Sequence, residues 1–215
     1  MPLPPLSTRD IAAELAPFGV ELTGKELEQL SAYLELLLRW NRRVNLTGLR
    51  DPRTIVRRLF GESLYLSRIV ELRGWLVDVG SGAGFPGLAL KLVAPDLRVT
   101  LIEARQRKCA FLKEVVRECG FYAIDVVTER FERWREGRHG QEMVDLITTR
   151  AVRVDDMFLK RMATLLGGGG RAVFFTTSGS ADAIRDNGVG WMWREEGIPS
   201  SPGSVILVGD KKLSK

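Results

Sequence analysis

Histidine occurs once in this chain of 215 residues and cysteine twice, and that scarcity removes several kinds of chemistry at the outset. A zinc centre needs three or four His, Cys or carboxylate ligands at short spacing, and the sequence contains no such constellation. The one histidine, His139, lies in a Gly- and Arg-rich stretch and reads as a solvent-exposed loop residue. Cys109 and Cys119 fall in what reads as one helix. Their spacing puts them roughly 15 Å apart along its axis, too far for a disulfide. No apolar run approaches the ~18 residues of a membrane span. The opening MPLPPLSTRD has neither the basic nor the apolar part of a secretion signal. The expectation is a reduced, cytoplasmic protein with no metal and no membrane association.

What is present is ordinary globular composition, with 45% hydrophobic and 27% charged residues, enough for a full core in one large domain, or in one domain plus a small appendage. The net charge of +5 is unevenly spread. Between Leu36 and Arg73 there are nine arginines against Asp51, Glu62 and Glu71, so this segment alone carries +6. Such clustering is either the electrostatic footprint of a nucleic-acid binder or a solvated helix face.

The chain is organised around Trp75 to Gly87, WLVDVGSGAGFPG. A strand-forming run ends in a loop with Gly80, Gly82, Gly84 and Gly87, and a helical pattern follows. Strand, glycine turn and helix bring backbone N–H groups close to a nucleotide-like ligand. Before this point the pattern is helical. Ser7 or Thr8 caps a short helix stopped at Pro17, and Thr23–Glu26 is a capping box opening a helix to about Trp40. Asp51-Pro52 begins one or two amphipathic helices over 53–71. Residues 1–72 therefore read as a helical cap and 73–215 as the main domain.

From Trp75 onward, strands alternate with helices. Strand candidates are 75–79, 98–102, 123–127, 144–148 and 171–176, and the helices are 87–94, 105–119, 155–166 and 180–187. That alternation predicts a parallel sheet covered on both faces. The end of the chain differs, with 190–195 and 203–209 joined by a Pro/Gly/Ser turn and no helix between them. The fold class is thus α/β: a Rossmann-like, seven-stranded, mostly parallel sheet with a C-terminal β-hairpin, plus the helical cap. GGGG at 167–170 reads as a helix C-cap and turn before the fifth strand.

Gly82, Gly84 and Gly87 satisfy G-x-G-x-x-G, and Glu103 lies at a suitable distance to bind ribose hydroxyls. A nicotinamide oxidoreductase therefore competes with a methyltransferase that uses S-adenosylmethionine. Asp78, placed before the first glycine to organise the loop or face a cation, would repel a phosphate. The terminal hairpin is also unlike the second half of a dehydrogenase. Both features favour the methyl donor, which has no phosphate to bind. Glu103 has a plainer reading as a helix cap, and Thr128–Glu132 could pack on an adenine or form a simple turn.

The fourth strand ends in Thr148-Thr149-Arg150-Ala151, where ligands sit in open α/β sheets. The Pro-Pro-aromatic motif of amino-group methylation is missing there, and neither cysteine follows a proline as a cytosine-C5 nucleophile commonly does. Guanine N7 has a free lone pair and no proton to remove, so its methylation needs alignment more than acid–base equipment. Arg150 would position the reactants. Trp40 reads either as a base-stacking platform or as helix packing.

Several segments together resemble the RsmG (GidB) family of 16S ribosomal RNA methyltransferases. They are W-N-x-x-x-N-L-T at Trp40–Thr47, V-D-V-G-S-G-A-G-F-P-G at 77–87 and L-I-E-A at 101–104. R-F-E at 130–132, T-R-A at 149–151 and G-G-R-A at 169–172 follow in order. The resemblance implies a class I S-adenosylmethionine-dependent methyltransferase acting on guanine N7 in the 530 loop of 16S ribosomal RNA, free or in a small-subunit particle; separately, a monomer is expected. It implies cofactor contacts at Gly80, Gly82, Phe85, Phe131, Glu132 and Arg150, with Glu103 on the ribose side. Arg42, Arg43, Arg57 and Arg58 would then contact RNA phosphates near an entrance formed by the cap.

Two places depart from the family pattern. Leu59 and Glu62 stand where a histidine and an aspartate are usual, and Thr177-Ser178 replaces a Lys-Gly pair. The departures keep other readings open: the same fold acting on another RNA position, a protein or a small molecule, or a catalytically weak RNA-binding assembly factor.

Overall fold

Both helix starts expected near the front of the chain are built as capping boxes. A computed structural model describes residues 6–134, 142–188 and 190–211; His139 lies outside these described residues. Ser7 and Asp10 cap α1 (Thr8–Leu15), and Thr23 and Glu26 cap α2 (Gly24–Val44). Each hydroxyl accepts an orphan N–H of the first turn while the acid reaches back to the cap residue. Asp51 caps the next segment through Thr54 N–H at 2.7 Å, with Pro52 at the first helical position as expected.

That segment is one continuous run that changes pitch. It passes from α3 (Pro52–Ile55) through a wide π-turn (Val56–Gly61) into α4 (Glu62–Tyr65) and a tight final turn (Leu66–Arg68). Gly61 is required there, because a Cβ would run into the ring of Phe18. Hydrophobic spacing alone does not signal the π-turn, since a single wide turn shifts the periodic pattern by only one residue.

The rest is β1 (Trp75–Val79), α5 (Gly87–Leu90), β2 (Arg98–Ile102), α6 (Gln106–Glu118), β3 (Ile124–Val127), β4 (Val144–Arg150), α7 (Asp156–Leu165), β5 (Leu166–Thr177), α8 (Ser178–Asn187), β6 (Trp191–Gly197) and β7 (Ser204–Lys211). They form one seven-stranded sheet in the order β3-β2-β1-β4-β5-β7-β6. The first five strands are parallel, and β7 enters antiparallel between β5 and β6. The chain reverses direction across the sheet between β1 and β4, so the carboxyl ends of both strands open on one edge.

Two expectations about local structure are corrected. The helix expected over 87–94 ends at Leu90, and tighter turns follow in which Lys91 and Val93 bond to carbonyls three residues back. GGGG at 167–170 is neither C-cap nor turn but a bulge inside β5. Leu166 pairs with Val144, and the next pair is Arg171 with Leu146. Gly169 takes φ +84°, and a Cβ on Gly170 would lie 2.9 Å from the Val144 carbonyl. The glycines let the strand loop out and return to register.

The sheet has a core on each face. On one side Trp75, Val77, Ile147, Phe158, Phe174 and Leu207 pack under α7 and α8. On the other, Leu76, Val99, Leu101 and Val173 share a single cluster with Ile11, Leu30, Tyr33 and Phe60 of the N-terminal helices. Those helices therefore cover the sheet face beside which the glycine loop opens.

Candidate active site

The loop after β1 is held by the end of β2. Gly80 and Ser81 both donate their N–H to the Ile102 carbonyl, at 2.9 and 3.1 Å. Gly80, Gly82 and Gly84 take φ of +71°, +56° and +89°, the region that only glycine enters cheaply. Two of these positions also leave no room for a side chain. A Cβ on Gly80 would sit 2.6 Å from Val152 Cγ2, and one on Gly84 would collide with the Tyr33 hydroxyl.

Beneath the loop, Asp78 is fully buried. Its carboxylate accepts the Thr148 hydroxyl at 2.8 Å and the Gly87 N–H at 3.3 Å, and its carbonyl accepts the Ser81 hydroxyl at 2.8 Å. Of the two roles expected for it, the organising one is what the structure contains; its carboxylate faces hydroxyl and amide donors. Burial pushes its pKa up to about 6, against the pull of the bonds from Thr148, Ser81 and Gly87.

Glu103, at the end of β2, has both oxygens on backbone donors. Oε2 takes Gly82 N–H at 3.1 Å and Oε1 takes Arg105 N–H at 2.8 Å. It thus joins the glycine loop to the start of α6. A carboxylate has about four lone-pair sites, so acceptor capacity for ligand hydroxyls remains.

The other expected cofactor residues divide by direction. The Phe85 ring turns away from the sheet edge into the helical layer, stacked on Tyr33 with centroids 5.4 Å apart and edge-on to Phe60 at 4.8 Å. Only its backbone remains near the loop. Phe131 is buried against Phe158, with centroids 4.9 Å apart, while its neighbour Glu132 is exposed.

Arg150 ends β4 with its side chain only 19% exposed. Its Nη2 donates to Glu62 Oε2 at 2.6 Å and to the Arg58 carbonyl at 2.7 Å. The Phe175 ring lies 5.8 Å from the guanidinium carbon. Burial pulls the guanidinium below its ordinary pKa, and Glu62 opposes that. Arg150 Nη1 and the adjacent Thr149 Oγ1 are buried with no hydrogen-bond partner. Native proteins leave few such atoms orphaned.

Both residues line a cleft of about 570 Å³ over the carboxyl ends of β4 and β5. Arg58, Glu62, Val152 and Phe175 also line it, with Thr177 and Ser180 where β5 runs into α8. The glycine loop borders the cleft at Val152 but does not line it. Gly82, Glu103, Phe131 and Glu132 sit further along the same edge, beyond the ends of β1, β2 and β3.

The four arginines expected at one entrance are separated. Arg58 lines the cleft, with its Nε 3.0 Å from Glu62. Arg57 is turned to α1, its Nε 2.9 Å from Glu14. Adjacent residues on a helical turn point in different directions, so the two cannot share one face. Arg42 and Arg43 are exposed at the end of α2, where Arg42 borders a second hollow with Asn41, Arg50 and Pro52. Trp40 packs: its indole N–H donates to Glu114 at 3.0 Å and its ring meets Phe111 edge-on. Both cysteines are buried and free.

Of the departures from the family pattern, Leu59 is buried in the helical core, whereas Glu62 lines the cleft. Thr177 also lines the cleft and caps α8 through Ser180 N–H. Sequence reasoning missed Glu62 and Ser201 as site residues. The only local signal was the i,i+4 spacing of Arg58 and Glu62; nothing marked Ser201.

The sheet order, the antiparallel seventh strand and the glycine loop define the class I S-adenosylmethionine-dependent methyltransferase fold. A crystal structure of MtNAS in complex with S-adenosylmethionine superposes with TM-score 0.61 at 14% identity, over 86% of this chain and 75% of that one. The ribosomal protein L11 methylase of Lactobacillus delbrueckii subsp. bulgaricus gives 0.58 at 14% identity, over 73% and 80%.

Sequence is more specific. The GidB family model, described as rRNA small subunit methyltransferase G, matches residues 26–194, and the chain belongs to that family. It is 35% identical over 162 residues to the ribosomal RNA small subunit methyltransferase G of Desulfitobacterium hafniense, covering 75% of this chain and 66% of that protein. To the protein of the same name from Halorhodospira halophila it is 40% identical over 142 residues, covering 66% and 65%. The match thus spans just under two thirds of the length of these two relatives.

Proposed function

We propose that this protein is a ribosomal RNA methyltransferase that moves a methyl group from S-adenosylmethionine to N7 of a guanine in the 530 loop of 16S RNA. Family membership supports the coarse activity. One observation supports the choice of N7: among the described residues Glu62 is the one carboxylate lining the cleft, and two arginines and a serine already engage it. Glu62 is thus not free to take a proton from an exocyclic amine, and guanine N7 has none to give.

The residues present fit the donor. Gly80 and Gly82 expose bare backbone, Glu103 keeps lone pairs for ribose hydroxyls, and Arg150 Nη1 and Thr149 Oγ1 await partners. Bound there, S-adenosylmethionine supplies a sulfonium methyl, which guanine N7 accepts with its own lone pair. Arg150 orients the reacting groups and holds no exchangeable role in proton transfer. Phe131 and Glu132 lie at the adenine side, while Arg58 meets RNA phosphate at the cleft and Arg42 and Arg43 meet it farther out. Catalysis rests on alignment and on electrostatics around the shifting positive charge.

The test uses tritiated S-adenosylmethionine with unmodified small-subunit particles or free 16S RNA, followed by borohydride and aniline cleavage, which reports N7-methylguanine. Label and a single cleavage in the 530 loop are expected. Label on cytosine or adenine, or RNA binding without transfer, would overturn the proposal.

A further inference from the structure

Glu62 belongs to the cleft wall, yet no step above uses it. Its side chain is 3% exposed and sits where three distant parts of the chain meet. Oε2 accepts from Arg150 Nη2 at 2.6 Å, across 88 positions of sequence. Oε1 accepts the hydroxyl of Ser201 at 2.7 Å, across 139 positions, and pairs with Arg58 Nε at 3.0 Å. Ser201 is itself buried, in the loop between β6 and β7. Arg58 adds a second tie to the hairpin, 3.4 Å from the Ser204 hydroxyl.

The Arg150 guanidinium is the group that this network leaves half used. Nη2 has two acceptors, both supplied by the π-turn segment and the residue after it; Nη1 has none. A guanidinium is a rigid planar fork, so fixing one edge sets the direction of the other. A buried carboxylate is costly unless its lone pairs are filled, and Arg58 and Ser201 fill those that Arg150 does not. The pitch change at Val56–Gly61 brings the Arg58 carbonyl and the Glu62 side chain onto the same Nη2.

We propose that Glu62 is a positioning residue: it clamps Nη2 of Arg150 so that Nη1 is the edge presented to the bound ligand, and Ser201 fixes the Glu62 carboxylate in turn. The inference rests on the reading of Arg150 as a ligand-orienting group. It also makes the helical layer and the terminal hairpin part of the site without either one touching the reacting atoms.

The experiment is a double-mutant cycle on the full chain, with S-adenosylmethionine affinity read by calorimetry and transfer to small-subunit particles by label. Glu62→Gln keeps size but loses charge, and should weaken donor binding about tenfold, as expected for one lost charged hydrogen bond. Ser201→Ala should weaken it by about threefold, as for a lost neutral one. In an Arg150→Gln background, Glu62→Gln should add nothing, because its effect runs through the missing guanidinium. Losses that multiply in the double variant would overturn the inference while leaving the Arg150 reading intact. An Arg150→Gln protein that binds and transfers like the parent would overturn that reading, and the inference with it. If Glu62→Gln does not fold, Ser201→Ala decides: unchanged affinity in a folded protein sinks the proposal.

Discussion

Asp78 shows how one residue can be structural and still titrate in a useful range. Its carboxyl pKa is raised from 3.8 to about 6, chiefly by burial, so the native state holds its proton more tightly than the unfolded chain does. Between about pH 4 and 6 the native state therefore binds more protons, and this group's contribution to stability falls as pH rises through that window. The stability difference between the parent and Asp78→Asn should shift by up to about 3 kcal/mol between pH 4 and pH 7. Denaturant titrations of both proteins at the two pH values measure it. Gly80→Val makes a different demand: at φ +71° a branched side chain is strained, and it meets Val152 at the rim of the cleft. Calorimetry should show donor binding lost, while circular dichroism shows the sheet retained.

At the scale of elements, α2 meets the glycine loop. The Tyr33 hydroxyl donates to the Ala83 carbonyl at 2.5 Å, and its ring carries Phe85 and Phe60. Tyr33→Phe keeps the rings together and removes one bond, leaving a buried carbonyl without its donor. A loss of about 1 kcal/mol is expected, and for a domain of this size it lowers the unfolding midpoint by roughly 2–4 °C. The loop it releases is the one that meets the ligand, so donor affinity should fall as well. A variant with lower Tm and unchanged affinity would show that α2 supports the core but not the loop.

For the whole molecule, the distribution of charge decides more than its sum. Many arginines of the basic segment are used internally: Arg53 and Arg57 pair with α1, Arg39 with Glu114, and Arg58 with Glu62. Arg42 and Arg43 stay exposed at the end of α2, and neither lines the cleft. On the proposed function they bind RNA phosphate without reading sequence. Arg42→Glu with Arg43→Glu should weaken binding to 16S RNA across sequences and reduce the salt slope of log K by about 2, with donor affinity unchanged. Filter-binding titrations over a range of salt measure both quantities, and an unaltered slope would remove these residues from the interface.

Most of the fold is legible in the sequence, because its signals are local. The alternation of strand and helix, the capping residues Ser7, Thr23 and Asp51, and the hairpin without a helix are written in short-range periodicity and backbone chemistry. The glycine loop was legible for the same reason, since a tight turn at a strand end needs particular residues in a particular order. The direction of Phe85, the parting of Arg57 from Arg58 and the bulge at 167–170 were not, because each depends on what packs against the segment. The clamp of Glu62 on Arg150 and Ser201 could not be read from the chain at all. Residues 88 and 139 positions apart in sequence became neighbours only when the sheet order brought β4 and the last hairpin beneath the helical layer. Local pattern chooses the elements; burial and topology choose which side chains meet, and the site is made of those meetings.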